Sequence, residues 1–247
     1  MTRLLAAGWR QVSLVDVLGE PSFTLWLCGC NLRCPFCHNW RVAERLACRP
    51  VGVGEVVREL GEVSQIVSYL HVSGGEPLLQ WEPLAELFEG ARRLGVQTSL
   101  NTNCTLVGPL EKLLSRGLVD HLAVDLKAPF DLLSGLEGRA AGRLWRLYLD
   151  CLAAASRRGV PVELRIPVPA NVDGYLEALE RALGEASERL EGTEWYAVVY
   201  PIVGPPYVEP RDRGWCRAHC GPGREEVARA ALVVRRYAGR VHVLWMG

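Results

Sequence analysis

The segment LWLCGCNLRCPFCHN, residues 25–39, decides which fold the chain can adopt. It begins with apolar residues typical of a buried strand, and three cysteines follow at spacing C-x3-C-x2-C: Cys30, Cys34 and Cys37. Thiolates suit iron, and a loop that leaves a strand can bend around a cluster. The spacing therefore predicts a cubane iron-sulfur cluster on three cysteines, with one iron left open to chelate another ligand.

A zinc site is the alternative interpretation of these cysteines, because C-x2-C is also a zinc spacing. Zinc would need a fourth Cys or His, and the local candidates are Cys28 and His38. Cys28 is expected to be a buried strand thiol, and His38 adjoins a ligand and so cannot easily turn to the same metal. The cluster is therefore favoured over zinc.

Outward from this segment, short β-rich runs alternate with longer amphipathic runs. Such alternation indicates βαβ units around a parallel sheet, although periodicity alone does not distinguish an open sheet from a barrel. Strands are predicted near residues 22–27, 67–72, 97–101, 119–125, 161–167, 194–200 and 240–245. Helices are predicted near residues 53–61, 82–93, 108–116, 140–158, 173–190 and 223–237.

Length and loop content favour a single domain over residues 1–247. Two stretches are predicted to be loops, residues 30–51 and 204–223, and function tends to concentrate in such segments. We therefore distinguish a cluster loop, residues 28–51, and a C-terminal extension, residues 204–247, within the one domain.

The charge balance gives no sign of a nucleic-acid or membrane partner, since 28 Lys and Arg residues face 28 Asp and Glu residues. No run approaches the length of a membrane span, and the first residues lack the pattern of a signal peptide. The sequence therefore predicts a cytoplasmic protein that binds neither membranes nor nucleic acid.

Nine cysteines in such a protein are expected to include metal ligands rather than a disulfide framework, a rule that weakens in hyperthermophiles. Cys48, Cys104 and Cys151 are predicted to be packed apolar residues. Cys216 and Cys220 are predicted to be a structural thiol pair, with a disulfide or a second metal site left open.

Polar groups follow several of the predicted strands. Gly74, Gly75 and Glu76 come directly after the strand at 67–72, and Asn101 with Thr102 ends the next one. Glycines let the backbone approach a ligand closely, and a carboxylate beside exposed carbonyls can accept hydrogen bonds from an ammonium group. Asp125 and Lys127 end the fourth strand. These groups are expected at the carboxyl ends of parallel strands, where barrel enzymes place their sites.

With these motifs, from about residue 23 to residue 203, the chain resembles the radical S-adenosylmethionine (SAM) superfamily. Within it, the chain is similar to the activating enzymes of glycyl-radical proteins, such as those for pyruvate formate-lyase and anaerobic ribonucleotide reductase. The resemblance implies an α/β fold, a partial (β/α)6 TIM-like barrel of parallel strands. It also implies a [4Fe-4S] cluster that reductively cleaves SAM to a 5′-deoxyadenosyl radical, which abstracts hydrogen from a glycine of a partner protein. A ferredoxin or flavodoxin is the expected electron donor.

The resemblance also implies roles for individual residues. Cys30, Cys34 and Cys37 would be the catalytic metal ligands. Val168 would lie against the adenine, and Arg165 would reach the SAM carboxylate or an acidic partner. The full set implied to bind the cofactors is Phe36, His38, Asn39, Gly74, Gly75, Glu76, Asn101, Thr102, Asp125, Lys127, Arg165 and Val168.

Two departures and two rivals accompany this resemblance. Ala170 replaces the usual glycine, and Asn101 stands where the pyruvate formate-lyase activase has an aspartate that helps to bind a cation. One rival is a radical SAM enzyme with a small-molecule substrate, such as a 7-carboxy-7-deazaguanine synthase. Those synthases usually show Cys-Asp-Thr or Cys-Asp-Ser where this chain has Cys37-His38-Asn39. The other rival is a non-catalytic iron-sulfur scaffold or sensor, which would not need the polar groups at successive strand ends.

Overall fold

The structure, a computed structural model, describes residues 2–245. Strands and helices alternate through most of this part of the chain. The strands are β1 (Arg3–Val17), β2 (Glu20–Leu27), β3 (Arg49–Gly52), β4 (Tyr69–Gly74), β5 (Gln97–Thr102), β6 (His121–Asp125), β7 (Val162–Val168), β8 (Trp195–Pro201) and β9 (Val241–Val243). The helices are α1 (Trp40–Ala43), α2 (Val53–Val63), α3 (Trp81–Arg93), α4 (Val107–Ser115), α5 (Phe130–Ser134), α6 (Gly138–Ser156), α7 (Tyr175–Arg189), α8 (Arg213–His219) and α9 (Arg224–Val234), with a 3-10 turn at Pro77–Gln80.

Each predicted strand and each predicted long helix is confirmed, with bounds that differ by a few residues. Two strands, β1 and β3, were not predicted. The two segments predicted as loops also contain short elements: α1 and β3 in the first, and α8 in the second. The predicted α/β class is therefore confirmed, with more antiparallel structure at its start than the sequence indicates.

Two compact units make up this fold, each built from two separate stretches of chain. The first comprises Met1–Asn31 and Arg41–Ala123, and the second comprises Leu32–Trp40 and Val124–Gly247. The three cysteines of the motif are therefore shared between the units, with Cys30 in the first. The organisation as a single domain stays a prediction.

The first unit contains a sheet in the order β3-β1-β2-β4-β5. β1 pairs antiparallel with both β2 and β3, whereas β2, β4 and β5 pair in parallel. Residues 18–19 join β1 to β2 in a tight turn that pairs Val17 with Glu20, and Gly19 adopts a φ of 78° there. Such a left-handed conformation favours glycine, which explains why the hairpin closes at this point.

Amphipathic helices accompany this sheet. α3 buries Leu84, Leu87, Phe88 and Ala91, whose spacing of three to four residues places them on one face of the helix. α2 packs closely on α3, since a Cβ at Gly90 would lie 2.4 Å from Val57 Cγ2. Burial of these side chains stabilises the helices against the sheet.

In the second unit β7 pairs in parallel with β8, and β8 pairs in parallel with β9. β7 is buried almost throughout, as expected for a parallel strand covered on both faces. Long helices connect these strands, and α6 contributes the fully buried Tyr148. None of the helices in residues 2–245 is long and apolar enough to cross a membrane.

Candidate active site

The nine cysteines fall into two chemical groups. Cys30, Cys34 and Cys37 keep their thiols, and the six others are disulfide-bonded. Burial raises the pKa of the Cys37 thiol, and the positive charge of Arg211 opposes that shift. Within residues 2–245 no three His, Cys, Asp or Glu side chains form a ready metal site. The donor set nevertheless fits an iron-sulfur cluster, because the cysteines with the predicted spacing are the ones left as thiols.

The disulfides correct several predictions. Cys28 bonds Cys48 with Cα atoms 6.3 Å apart, so Cys28 is not a buried strand thiol and Cys48 is not a packed apolar residue. The unpredicted β1 explains this pair, because its residue Ala6 pairs with Leu27 on one side and with Arg49 on the other. The end of β2 and the start of β3 thus meet across the same strand.

Two further predictions about cysteines have outcomes. Cys104 and Cys151 are disulfide-bonded as well, so they too are more than packed apolar side chains. Cys216 and Cys220 bond each other within one turn of helix, with Cα atoms 4.8 Å apart. The thiol pair predicted there is therefore a disulfide rather than a second metal site.

We call residues 25–39 the cysteine segment. In the first unit, the turn after β4 packs directly on the start of this segment. Gly75 N donates to Leu27 O at 2.8 Å, and Glu76 N donates to Gly29 O at 2.7 Å. A Cβ at Gly75 would lie only 2.1 Å from Gly29 O, so no larger residue fits this contact. The glycines that the sequence singled out therefore fix the backbone that leads into Cys30.

The Glu76 side chain is fully buried, and its carboxylate accepts hydrogen bonds from the protein itself. Its Oε1 accepts from Leu78 N at 3.0 Å and from Thr102 Oγ1 at 2.8 Å, and its Oε2 accepts from Asn103 N at 2.7 Å. The carboxylate therefore ties the end of β4 to the end of β5. A contact of SAM with this segment stays a prediction.

A network of amides continues from this carboxylate to the first cysteine. Asn103 Oδ1 accepts from Thr105 N at 3.1 Å, which fixes the orientation of the amide because a backbone nitrogen only donates. Asn103 Nδ2 therefore points to Asn31 Oδ1, at 2.7 Å, and to Cys30 Sγ, at 3.8 Å. Asn101 donates to Ser73 Oγ at 3.2 Å. Sequence reasoning did not single out Asn31, although it sits inside the cysteine motif.

In the second unit, charged groups gather at the carboxyl end of β6. Lys127 Nζ donates to Asp125 Oδ2 at 2.9 Å, and only 6% of the Lys127 side chain is exposed. Tyr200 donates to Asp125 Oδ1 at 3.4 Å. Arg165 pairs with Glu163, which is the acidic partner that the sequence left as one of two possibilities. The second unit thus brings Asp125, Lys127 and Tyr200 together.

The remaining predicted residues of the second unit lie in or near its cysteine segment. Phe36 packs on Trp215 with ring centroids 5.9 Å apart, His38 is exposed, and Asn39 is half-buried. Val168 is buried at the end of β7 and accepts from Ile202 N at 2.9 Å. Their roles toward SAM stay predictions.

The ion pair at β6 leads to a prediction about pH. Burial alone would raise the pKa of Asp125, but Lys127 and Arg165 lower this pKa below its ordinary value. A lowered pKa in the folded state stabilises the protein above about pH 4, and that contribution is lost as pH falls through the folded pKa. We therefore expect Asp125→Asn to be less stable than wild type at pH 7, with the difference shrinking below about pH 4.

Urea unfolding at several pH values measures this difference. The exposed Asp131 offers a matched control, since Asp131→Asn removes the same charge without breaking the pair with Lys127. A stability difference for Asp125→Asn that stays constant down to pH 3 would contradict the assignment of the lowered pKa.

Comparison with known proteins identifies the family. The sequence profile of the radical SAM superfamily matches residues 25–183, which contain all three motif cysteines and the groups at the ends of β4, β5, β6 and β7. The chain belongs to the radical SAM superfamily. Membership of this superfamily implies a [4Fe-4S] cluster and SAM as cofactors.

Relatives of this member of the radical SAM superfamily carry different names. A putative glycyl-radical enzyme activating enzyme of Methanocaldococcus jannaschii is 30% identical over 129 residues, 52% of each chain. A 7-carboxy-7-deazaguanine synthase of Hyperthermus butylicus is 41% identical over 100 residues, 38% of this chain and 42% of that one. A pyruvate formate-lyase-activating enzyme of Staphylococcus aureus is 39% identical over 88 residues, 33% of this chain and 34% of that one. The chain spans about half the length of these relatives or less.

Solved structures show the same fold at low identity. A radical SAM methyltransferase from Sphaerobacter thermophilus has a TM-score of 0.66 at 18% identity, covering 94% of this chain and 68% of that one. Streptococcus suis SuiB bound to S-adenosylmethionine has a TM-score of 0.59 at 16% identity, covering 89% of this chain and 48% of that one. The predicted radical SAM fold, an α/β architecture consistent with a partial TIM-like barrel, is confirmed by these likenesses.

Proposed function

We propose that this radical SAM enzyme is a glycyl-radical activating enzyme, which removes a hydrogen atom from a glycine of a partner protein. The observation that carries the proposal is the sequence Cys37-His38-Asn39, which resembles the activases and not the Cys-Asp-Thr or Cys-Asp-Ser of the synthases. Two of the named relatives, from Methanocaldococcus jannaschii and Staphylococcus aureus, are activating enzymes by name. A protein is thus the proposed substrate.

Cys30, Cys34 and Cys37 are proposed to hold the cluster, since their thiols are the ones that no disulfide takes up. When bound, the cluster and SAM supply an electron and a carbon-centred oxidant able to remove an unactivated hydrogen atom. The chain itself has to orient SAM and exclude water around it.

Contacts near the first cysteine support the proposal that the chain orients a ligand there. The backbone of Gly74 and Gly75 is fixed against Leu27 and Gly29, and the buried Glu76 holds the end of β5 beside it. These contacts leave little freedom to the strand ends that are proposed to receive SAM. In the second unit, Asp125 and Lys127 form a second fixed polar group, proposed to bind the ribose and carboxylate of SAM.

A second candidate is a small-molecule enzyme of the 7-carboxy-7-deazaguanine synthase type. It is favoured by the 41% identity to the Hyperthermus butylicus synthase over 100 residues. The run GGEPLLQ, residues 74–80, also resembles the synthases. The two candidates differ in the molecule that gives up the hydrogen atom, so an experiment on products can separate them.

The test is anaerobic. The cluster is reconstituted, reduced with dithionite or ferredoxin, and mixed with SAM and a glycyl-radical protein encoded in the same genome. We expect a protein-based glycyl radical on the partner, detected by electron paramagnetic resonance. Formation of 7-carboxy-7-deazaguanine from a small-molecule cell extract, with no radical on any partner, would favour the second candidate and contradict the first.

A further inference from the structure

A segment outside the family match reaches the second and third cysteines. We call this segment, residues 204–221, the C-terminal strap. Two of its backbone amides donate to the cysteine segment: Arg211 N to Cys37 O at 3.2 Å, and Asp212 N to Pro35 O at 2.9 Å. The family match ends at residue 183, so the strap is a part of this chain that the superfamily motifs do not describe.

The side chain of Arg211 adds a third hydrogen bond to the same segment. Its Nη1 donates to Cys34 O at 3.2 Å. Arg211 is half-buried. Its guanidinium bonds the carbonyl of Cys34, and its backbone nitrogen bonds the carbonyl of Cys37. One residue therefore fixes the backbone at both Cys34 and Cys37 and places a positive charge beside them.

The strap is itself held in place, so it can act as a firm support. Asp212 caps α8 by accepting from Trp215 N at 2.9 Å, and the Cys216–Cys220 disulfide closes the end of the same helix. His219 O accepts from Ala170 N at 2.8 Å, which anchors the strap just beyond the end of β7. Because the strap is already held by these bonds, it loses little further conformational entropy when it contacts the cysteines.

The cysteine segment is also supported by residues that follow β6. Arg33 N donates to Ser134 O at 3.1 Å, and a Cβ at Gly135 would lie 2.1 Å from Arg33 O. The backbone before Cys34 is thus fixed by residues that follow β6, and the backbone from Cys34 to Cys37 is fixed by the strap. Among these supports, Arg211 bonds the cysteine segment with its side chain as well as with its backbone.

We propose that Arg211 is a positioning residue for the cluster, and that its guanidinium raises the reduction potential of the cluster bound by Cys34 and Cys37. Reduction adds one negative charge to a cluster already ligated by thiolates, and a nearby positive charge stabilises the reduced form more than the oxidised form. The proposal rests on the cluster assignment made above. It does not depend on which molecule gives up the hydrogen atom.

The variants that test it are Arg211→Gln, Arg211→Lys and the control Arg213→Gln. Arg213 is two residues away on the same strap, but its side chain is 69% exposed and pairs with Glu209. We expect Arg211→Gln to shift the midpoint potential of the cluster to more negative values, measured by a dye-mediated titration followed by electron paramagnetic resonance. Arg211→Lys keeps the charge and is expected to stay close to wild type, as is Arg213→Gln.

Iron retention gives a second readout. Residues that orient metal ligands typically contribute about 10–100-fold to metal affinity, so we expect Arg211→Gln to lose iron to a chelator about tenfold faster than wild type. Hydrogen exchange on the cluster-less chain gives a third readout, since the amides of residues 211 and 212 should exchange faster in Arg211→Gln. This last measurement needs no metal.

The outcomes separate this inference from the proposed function. A wild-type protein that assembles no cluster would contradict both. A wild-type cluster whose potential and iron loss are unchanged in Arg211→Gln would overturn the role of Arg211 and leave the proposed function standing. An equal shift of potential in Arg213→Gln would also overturn it, because the effect would then be one of overall charge.

Discussion

Replacing Cys34 with alanine should reduce SAM cleavage to the level of protein without a cluster. Cys34 is buried, is the middle cysteine of the motif, and is one of the three cysteines that keep their thiols. A cubane cluster with an open iron has only three protein ligands, so the loss of one thiolate removes a third of its attachment. The six cysteines outside the motif are disulfide-bonded, so none of them offers a thiol in place of Cys34 while those bonds are closed.

Three measurements follow this loss under anaerobic conditions: bound iron, the visible absorption of the cluster, and 5′-deoxyadenosine separated by chromatography. Cys151→Ala is the matched control, since it also removes a buried cysteine from the second unit but one that is disulfide-bonded. The control should keep its cluster and its SAM cleavage. Cleavage at the wild-type rate in Cys34→Ala would show that the motif does not hold the catalytic cluster.

Replacing Glu76 with alanine should lower the free energy of unfolding by at least roughly 3 kcal/mol, because it leaves three buried donors without a partner and each of them costs about 1–3 kcal/mol. The donors concerned are Leu78 N, Asn103 N and the hydroxyl of Thr102. Glu76 is fully buried, so water cannot take over its hydrogen bonds. The end of β5 would then lose its tie to the end of β4, and SAM binding should weaken along with stability.

Chemical denaturation measures the stability, and isothermal calorimetry measures SAM binding on reconstituted protein. Glu76→Gln keeps one acceptor oxygen but puts a donor where the other was, so its loss of stability should be intermediate. Glu86→Ala is the control, because this exposed glutamate in the middle of α3 should change stability by less than about 0.5 kcal/mol. Equal stability of Glu76→Ala and Glu86→Ala would show that the carboxylate does not hold the strand ends together.

The parallel strands and their helices could be predicted from the sequence because each leaves a local pattern. β7, for example, has apolar residues at every second position, Val162, Leu164, Ile166 and Val168, between Gly159 and Pro169, and this period of two is typical of a strand. β1 leaves no such pattern. Its buried residues include Ser13, while Val12, Leu14 and Val15 are exposed, so alternation of apolar and polar residues does not reveal it. Only the turn at Gly19 signals the hairpin.

In the candidate site, too, some features could be predicted from the sequence and others could not. The motif residues could be predicted because they directly follow predicted strands in the sequence. The contact between Arg211 and Cys34 joins residues 177 positions apart, and the ties of Glu76 to β5 depend on how two strands lie side by side. The Cys28–Cys48 disulfide could not be predicted for a related reason. The two cysteines meet because β1 pairs with both of the strands that they adjoin. Contacts of this kind arise from packing, which no local pattern encodes.

The division of the cysteines also constrains how the protein matures. Six of them are disulfide-bonded, whereas the three proposed cluster ligands keep their thiols. Cys30 and Cys37 are half-exposed, so an oxidant that closes the disulfides would also attack the motif unless metal already occupied it. If the motif holds the cluster, as proposed, we expect iron and sulfide to be installed before the chain meets oxidising conditions.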